Sequence, residues 1–281
     1  MKETELKTIA IIQARRAASR LPDKVLLDIA GEPMLVRVVE RARRAKTLDG
    51  VVVATTTDAF DDAIEALCQQ RGYALSRGSM YDVLDRYYQA ARLYQADIIV
   101  RITADCPVID PDVIDDTVFA LFGRRNQPTA AGEQVTGESL IPNSQFLTPV
   151  YDFTANRLPP PWKRTYPIGL DTEVCTFAAL ETAWKEADQP HQREHVMPFF
   201  YEQPERFRTR LVDYTSDLGS LRWTVDTAED LALIRQIYTH FNGRDDFSWL
   251  DVLSLVQSQP DLGQINAAVQ HKDYRQIDHR R

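Results

Sequence analysis

Ile9-Ala10-Ile11-Ile12 breaks into Gln13-Ala14-Arg15-Arg16-Ala17-Ala18-Ser19-Arg20-Leu21-Pro22-Asp23-Lys24, and only afterwards, from about Met34, does a helical pattern begin. A short apolar run bounded by a basic, turn-rich stretch reads as a buried strand that ends in a loop. Loops at the carboxyl ends of parallel strands are where open α/β sheets hold their ligands. This loop carries Arg15, Arg16, Arg20 and Lys24 within ten positions. Guanidinium and ammonium groups pair well with phosphate oxygens, so the clustering points to a phosphate-bearing ligand.

Working outward, apolar runs alternate with amphipathic ones. Strands are predicted at Thr8 to Gln13, Val51 to Thr55, Tyr73 to Ser76 and Ile98 to Ile102, each followed by a helix: Met34 to Ala45, Phe60 to Arg71, Val83 to Tyr94 and Asp112 to Phe122. Such alternation means βαβ crossovers and a mostly parallel sheet. Asp58 and Asp110-Pro111 stand where helix starts are expected. From 123 to 167 the pattern dissolves into a composition of turns, short strands and loops, read as a segment inserted into the sheet topology as a lid or subunit contact. Periodicity then returns with helices at Phe177 to Lys185 and Glu194 to Glu202, strands at Arg208 to Val212 and Leu221 to Val225, and a helix at Ala228 to Phe241. One domain is expected over residues 1–245, with a helix and a polar tail over 246–281.

The net charge of −8 argues against general nucleic-acid or anionic-membrane binding, because the positive charge is local rather than spread over a face. Met1 to Lys7 lack the apolar core of a secretory signal, and no run approaches the roughly 20 apolar residues of a membrane helix. A cytoplasmic location is expected. Cys68, Cys106 and Cys175 have no paired spacing and read as reduced thiols.

Two acids terminate apolar runs: Asp105 in Arg101-Ile102-Thr103-Ala104-Asp105-Cys106-Pro107, and Asp226 in Arg222-Trp223-Thr224-Val225-Asp226-Thr227. Carboxylates at strand ends can share one Mg²⁺, which completes its shell with phosphate oxygens and water. The structural alternatives are a helix cap through Asp226-Thr227 and an Asx-turn at Asp105. Asp171 and Glu173, on one face if 170–175 is a strand, could accept hydrogen bonds from an acceptor's hydroxyls. Arg193, Glu194 and His195 could contact its carboxylate or phosphate; alternatively these residues open a helix and Asp171 with Glu173 forms an ion-pair group. Tyr87, Tyr88 and Tyr94 read as packing residues. Tyr151, Trp162 and Tyr166 suit either an acceptor pocket or a dimer seam.

Ile12-Gln13-Ala14-Arg15, Ser19-Arg20-Leu21-Pro22 with Lys24, and Gly31-Glu32-Pro33-Met34-Leu35 resemble the opening of the cytidylyltransferases related to the spore-coat polysaccharide protein and to the acylneuraminate and KDO enzymes. The stretches at 101–107, 169–174, 193–195 and 222–227 are similar to that family's later motifs, in the same order. The resemblance implies a Rossmann-like sheet with helices on both faces and an acceptor oxygen attacking the α-phosphorus of CTP, with pyrophosphate leaving. It further implies that Arg15, Ser19, Arg20 and Lys24 bind the triphosphate, that Asp105 and Asp226 hold Mg²⁺, and that the partners are CTP and an anionic small molecule. Arg15, Lys24, Asp105 and Asp226 are then the catalytic set, and Ala14 and Arg101 are candidates for the base. A homodimer is expected by the same likeness. Ala17-Ala18 and Asp23 depart from the family, which commonly has glycines there, and Asp23 adds negative charge beside the site. A glycosyltransferase-like enzyme and a weakened nucleotide-binding protein are the competing readings.

Overall fold

The computed structural model describes residues 6–124, 148–158 and 164–270. The first strand, β1 (Thr8–Gln13), is followed by a small hairpin, β2 (Asp28–Ile29) and β3 (Glu32–Pro33), and by β4 (Gly50–Thr56), β5 (Ala74–Gly78) and β6 (Ile98–Thr103). Strands β7 (Phe153–Ala155), β8 (Glu173–Thr176) and β9 (Thr209–Leu211) complete the described sheet, whose order is β5-β4-β1-β6-β8-β7-β9. The four strands from β5 to β6 are parallel, and β8 runs against both β6 and β7. The sheet is therefore mostly parallel, as the alternation of apolar runs predicts.

Alternate residues of each central strand feed opposite layers, which is why these runs are apolar throughout. Ala10, Ile12, Val53, Val100 and Ile102 pack with helices α1 (Met34–Ala42), α2 (Asp62–Arg71), α4 (Pro111–Leu121), α8 (Ala228–His240) and α9 (Trp249–Ser258). Ile9, Ile11, Val52, Ala54 and Ile99 pack with α3 (Val83–Leu93), α5 (Phe177–Glu186) and α7 (Pro198–Tyr201). Asp110 caps α4 from its side chain, with Pro111 in the first turn, as expected. Tyr87 is fully buried and its hydroxyl donates to the carbonyls of Ile11 and Ile102, tying β1 to β6.

Two sequence expectations need correction. The helix predicted over Glu194 to Glu202 is two short ones, α6 (Pro190–His195) and α7, because Val196 takes a positive φ of 70° and Pro198 cannot continue the first ladder. The strand predicted at Leu221 to Val225 makes only an isolated bridge between Ile168 and Arg222, while the amide of Val225 donates 2.8 Å to the carbonyl of Asp105 beyond the end of β6. The inserted middle also contributes to the sheet through β7. Residues 125–147 and 159–163, including Trp162, lie outside the described residues, whereas Tyr166 packs in the core against Tyr214 and Trp249.

The C-terminal region shares this core. Trp249, Val252, Leu255 and Val256 are buried with α1 and α4, and α10 (Pro260–Gln264) follows. The guanidinium of Arg41, fully buried, donates to the carbonyls of Ile109, Asp245 and Phe247, which fastens this region to α1.

Gly169 fixes the approach of the 222–226 segment. At φ 110° a Cβ there would sit 2.6 Å from the carbonyl carbon of Trp223 and 2.7 Å from the amide of Thr224. Gly169→Ala should therefore destabilise the protein by on the order of 3 kcal/mol through strain and overpacking, read as a lowered denaturant midpoint; an unchanged midpoint contradicts this packing. The three cysteines are buried and unpaired, and burial pushes Cys68 up to about 11 and raises Cys106 and Cys175 as well. All three should resist an aromatic disulfide reagent at pH 8 in the native state and react promptly once denatured.

Candidate active site

After β1 the chain turns on Asp23, which adopts a left-handed conformation of φ 60° and ψ 9°. Aspartate tolerates this region better than most residues, so it serves where a glycine would. Its carboxylate accepts a 2.7 Å bond from Arg16, whose guanidinium lies 4.0 Å over the ring of Phe60. The extra negative charge is thus paired within the loop. Ala17 and Ala18 keep negative φ, and the loop closes instead through the Arg16 carbonyl, which accepts from the amides of Ala18 and Asp23. Lys24 then opens a 3-10 turn whose next residue, Val25, is buried in the core.

That anchorage places Lys24 at the carboxyl edge of the sheet. Its ammonium lies 2.8 Å from Asp105 Oδ2, 2.8 Å from Asp226 Oδ1 and 2.8 Å from the carbonyl oxygen of Val225. The other oxygen of Asp226 receives Arg20 at 2.8 Å and Arg222 at 2.8 Å. Burial pulls the Lys24 ammonium down, but the charges of Asp105 and Asp226 and their hydrogen bonds outweigh it and raise its pKa. Burial likewise pushes the Asp226 carboxyl up, and Lys24 and Arg20 override it, holding that group well below the usual carboxylate range. Lys24, Arg20, Asp105 and Asp226, from three remote parts of the chain, therefore form one cluster.

The remaining sequence candidates divide. Arg15 stays in the loop, near enough to buried Arg86 for the two charges to repel. Ser19 is exposed on the same loop. Ala14 is buried in the core and its amide donates to the carbonyl of Ala54. Arg101 and Glu173, expected at the base and the acceptor, instead pair with each other: they face one another across β6 and β8 and are both buried. Arg193 clasps α6 to the fold, donating to both oxygens of Asp82 at the start of α3 and to the carbonyl of Trp184. Glu194 and His195 share that short helix, half-buried. Asp171 is paired with Arg164, and Arg157 lies 3.9 Å from it. Burial chiefly, and after it the charges of Asp105 and Asp171, push the Cys106 thiol up.

Arg157 and Arg164 were not singled out from the sequence, where they border the triple proline in an aperiodic stretch. Arg157 Nε has no hydrogen-bond partner among the described residues, although its side chain is only one-fifth exposed.

A mostly parallel sheet whose carboxyl edge gathers cations from its first loop, one acid from just beyond β6 and another from the 222–226 segment defines a nucleotide-handling transferase. Comparison makes the assignment specific: the chain belongs to the cytidylyltransferase family, whose model matches residues 9–240. It is 34% identical over 275 residues to the uncharacterized protein MJ1063 of Methanocaldococcus jannaschii, covering 97% of this chain and all of that one. It is 29% identical over 261 residues to the spore coat polysaccharide biosynthesis protein SpsF of Bacillus subtilis, covering 89% and 94%. Among solved structures, a cytidylyltransferase from Leptospira borgpetersenii superposes with a TM-score of 0.78 at 30% identity, over 95% of this chain and all of that one. Among the described residues no helix is long and apolar enough to cross a membrane.

The cluster predicts a measurable coupling. Lys24→Ala leaves Asp105 and Asp226 facing each other without their cation and should lower stability, and adding Asp226→Asn should restore part of the loss. A double-mutant cycle from denaturant unfolding should give a coupling of about 1–3 kcal/mol; strict additivity contradicts the shared ammonium.

Proposed function

We propose that this chain transfers CMP from CTP to an anionic small molecule, a sugar acid or a phosphorylated compound, with release of pyrophosphate. The observation that carries the reading is the convergence of Lys24 with Asp105 and Asp226 at the carboxyl edge of the sheet. In the transfer, an acceptor oxygen forms a bond to the α-phosphorus and the bond to the bridging β-phosphate oxygen breaks. Such chemistry depends on positioning and on charge stabilisation. A general base is unnecessary if the attacking oxygen is already anionic.

Lys24 bridges the two aspartates, and Arg20 adds a second positive charge at Asp226. A triphosphate offers Lys24 and Arg20 stronger, multiply charged partners, and as they turn to it the two carboxylates are released to a cation. Two carboxylates already directed at one ammonium fit magnesium, which takes one or two of them and fills its shell from phosphate and water. When bound, magnesium would supply positive charge at the α-phosphate and the departing oxygen. Lys24 and Arg20 would neutralise the pyrophosphate. Arg157 and Arg164 would orient the acceptor's carboxylate or phosphate, with Asp171 accepting from its hydroxyls.

Incubating the protein with CTP, Mg²⁺ and a panel of acidic sugars and sugar phosphates should release pyrophosphate with a subset of them. Asp105→Asn should lower turnover at least about 100-fold while leaving the protein folded, and Arg157→Ala should raise the KM for the acceptor but not for CTP. Pyrophosphate release that is unaffected by Asp105→Asn contradicts the assignment, as does transfer from nucleotide sugars alone.

A further inference from the structure

The stretch matched by the cytidylyltransferase family ends at residue 240, yet the chain beyond it returns to the active site. Asn266, two residues past α10, is buried at 5% exposure. Its amide nitrogen donates 3.0 Å to the carbonyl of Arg222 and 2.8 Å to Asp230 Oδ1. Both partners only accept, so the site calls for a group that presents two N–H donors, as the Asn266 amide does.

Asp230 is fully buried, and its oxygens also receive Arg222 Nε at 2.9 Å, Arg222 Nη2 at 3.0 Å and the backbone amide of Asp226 at 2.9 Å. Arg222 Nη2 in turn donates 2.8 Å to Asp226 Oδ2. The bonds run without a gap from Asn266 through Asp230 and Arg222 to the carboxylate that holds Lys24. A second contact comes from the same segment, since Arg20 Nη1 donates 3.3 Å to the carbonyl of Gln270.

We propose that Asn266 is a positioning residue for Asp226, and that the C-terminal segment thereby completes the active site. The inference rests on the nucleotidyl-transfer reading, in which Asp226 faces the reacting phosphates. Without Asn266 the Arg222 carbonyl is left buried without its donor and Asp230 loses a hydrogen bond. Arg222 is then less constrained, and so is the side chain of Asp226.

Kinetics of three full-length variants test this. Asn266→Ala should lower kcat about 10-fold, corrected for folded protein, with the KM for CTP changed less than about twofold. Asn266→Asp should lose more than Asn266→Ala, because it sets a second carboxylate against Asp230; were the residue only filling space, the near-isosteric aspartate would be the milder change. In an Arg222→Lys background Asn266→Ala should cost less than about twofold more. The reverse order, or fold losses that simply multiply, overturns the proposal. A stability cycle between Asn266→Ala and Asp230→Asn separates the two levels of inference. Coupling in that cycle with an inactive wild-type protein sinks the transfer reading and the role given to Asn266 with it. Additivity with an active wild-type protein sinks the relay alone.

Discussion

The ammonium of Lys24 is the point at which three remote parts of the chain meet. It lies 81 positions from Asp105 and 202 from Asp226, and it touches both at 2.8 Å. None of these side chains would be tolerable there alone, since a half-buried charge without a partner is strongly penalised by desolvation. Their mutual neutralisation makes the edge of the sheet stable before any substrate arrives. Under the proposed transfer, the same arrangement would keep two carboxylates aligned for a cation and a lysine ready for phosphate.

The sheet supplies that convergence through its topology. Parallel strands β1 and β6 are adjacent, so the loops that follow them emerge side by side at one edge. Asp226 arrives by another route. Its segment is held by the bond from Val225 to the Asp105 carbonyl and by the close approach of Gly169, which allows the backbones of 169 and 223–224 to meet. Arg222 and Asp230 then steady Asp226 from behind. Away from the cluster, Arg101 pairs with Glu173 across β6 and β8, and Arg193 pairs with Asp82 between α6 and the start of α3.

Much of the parallel half was legible because its signal is local. Apolar periodicity placed β1 at its observed bounds and the helices within a few residues, and Asp110-Pro111 marked the start of α4. The loop cations and Asp105 were recognisable from their positions beyond β1 and β6, and Asp226 from the apolar run before it, although that run is not a strand of the sheet. Less local features were hidden. That Arg101 faces Glu173 depends on the antiparallel register of β6 with β8, which neither segment encodes by itself. The break between α6 and α7 does leave a local sign in Pro198, which cannot continue a helical ladder. Arg157 and Arg164 sit in aperiodic sequence, and Asn266 is a single polar residue whose importance comes entirely from the two acceptors beside it.

The exchange of partners at Lys24 is the central claim, and manganese binding tests it most directly. By thermodynamic reciprocity, a nucleotide that draws Lys24 away from the aspartates must tighten cation binding as much as the cation tightens nucleotide binding. Titration of Mn²⁺ followed by water-proton relaxation should show weak binding to the free protein and at least about tenfold tighter binding with CTP, beyond that of CTP alone in solution. In Lys24→Ala the protein without nucleotide should already bind Mn²⁺ more tightly than the wild type. Equal affinity with and without nucleotide, or no gain on removing Lys24, would contradict the account.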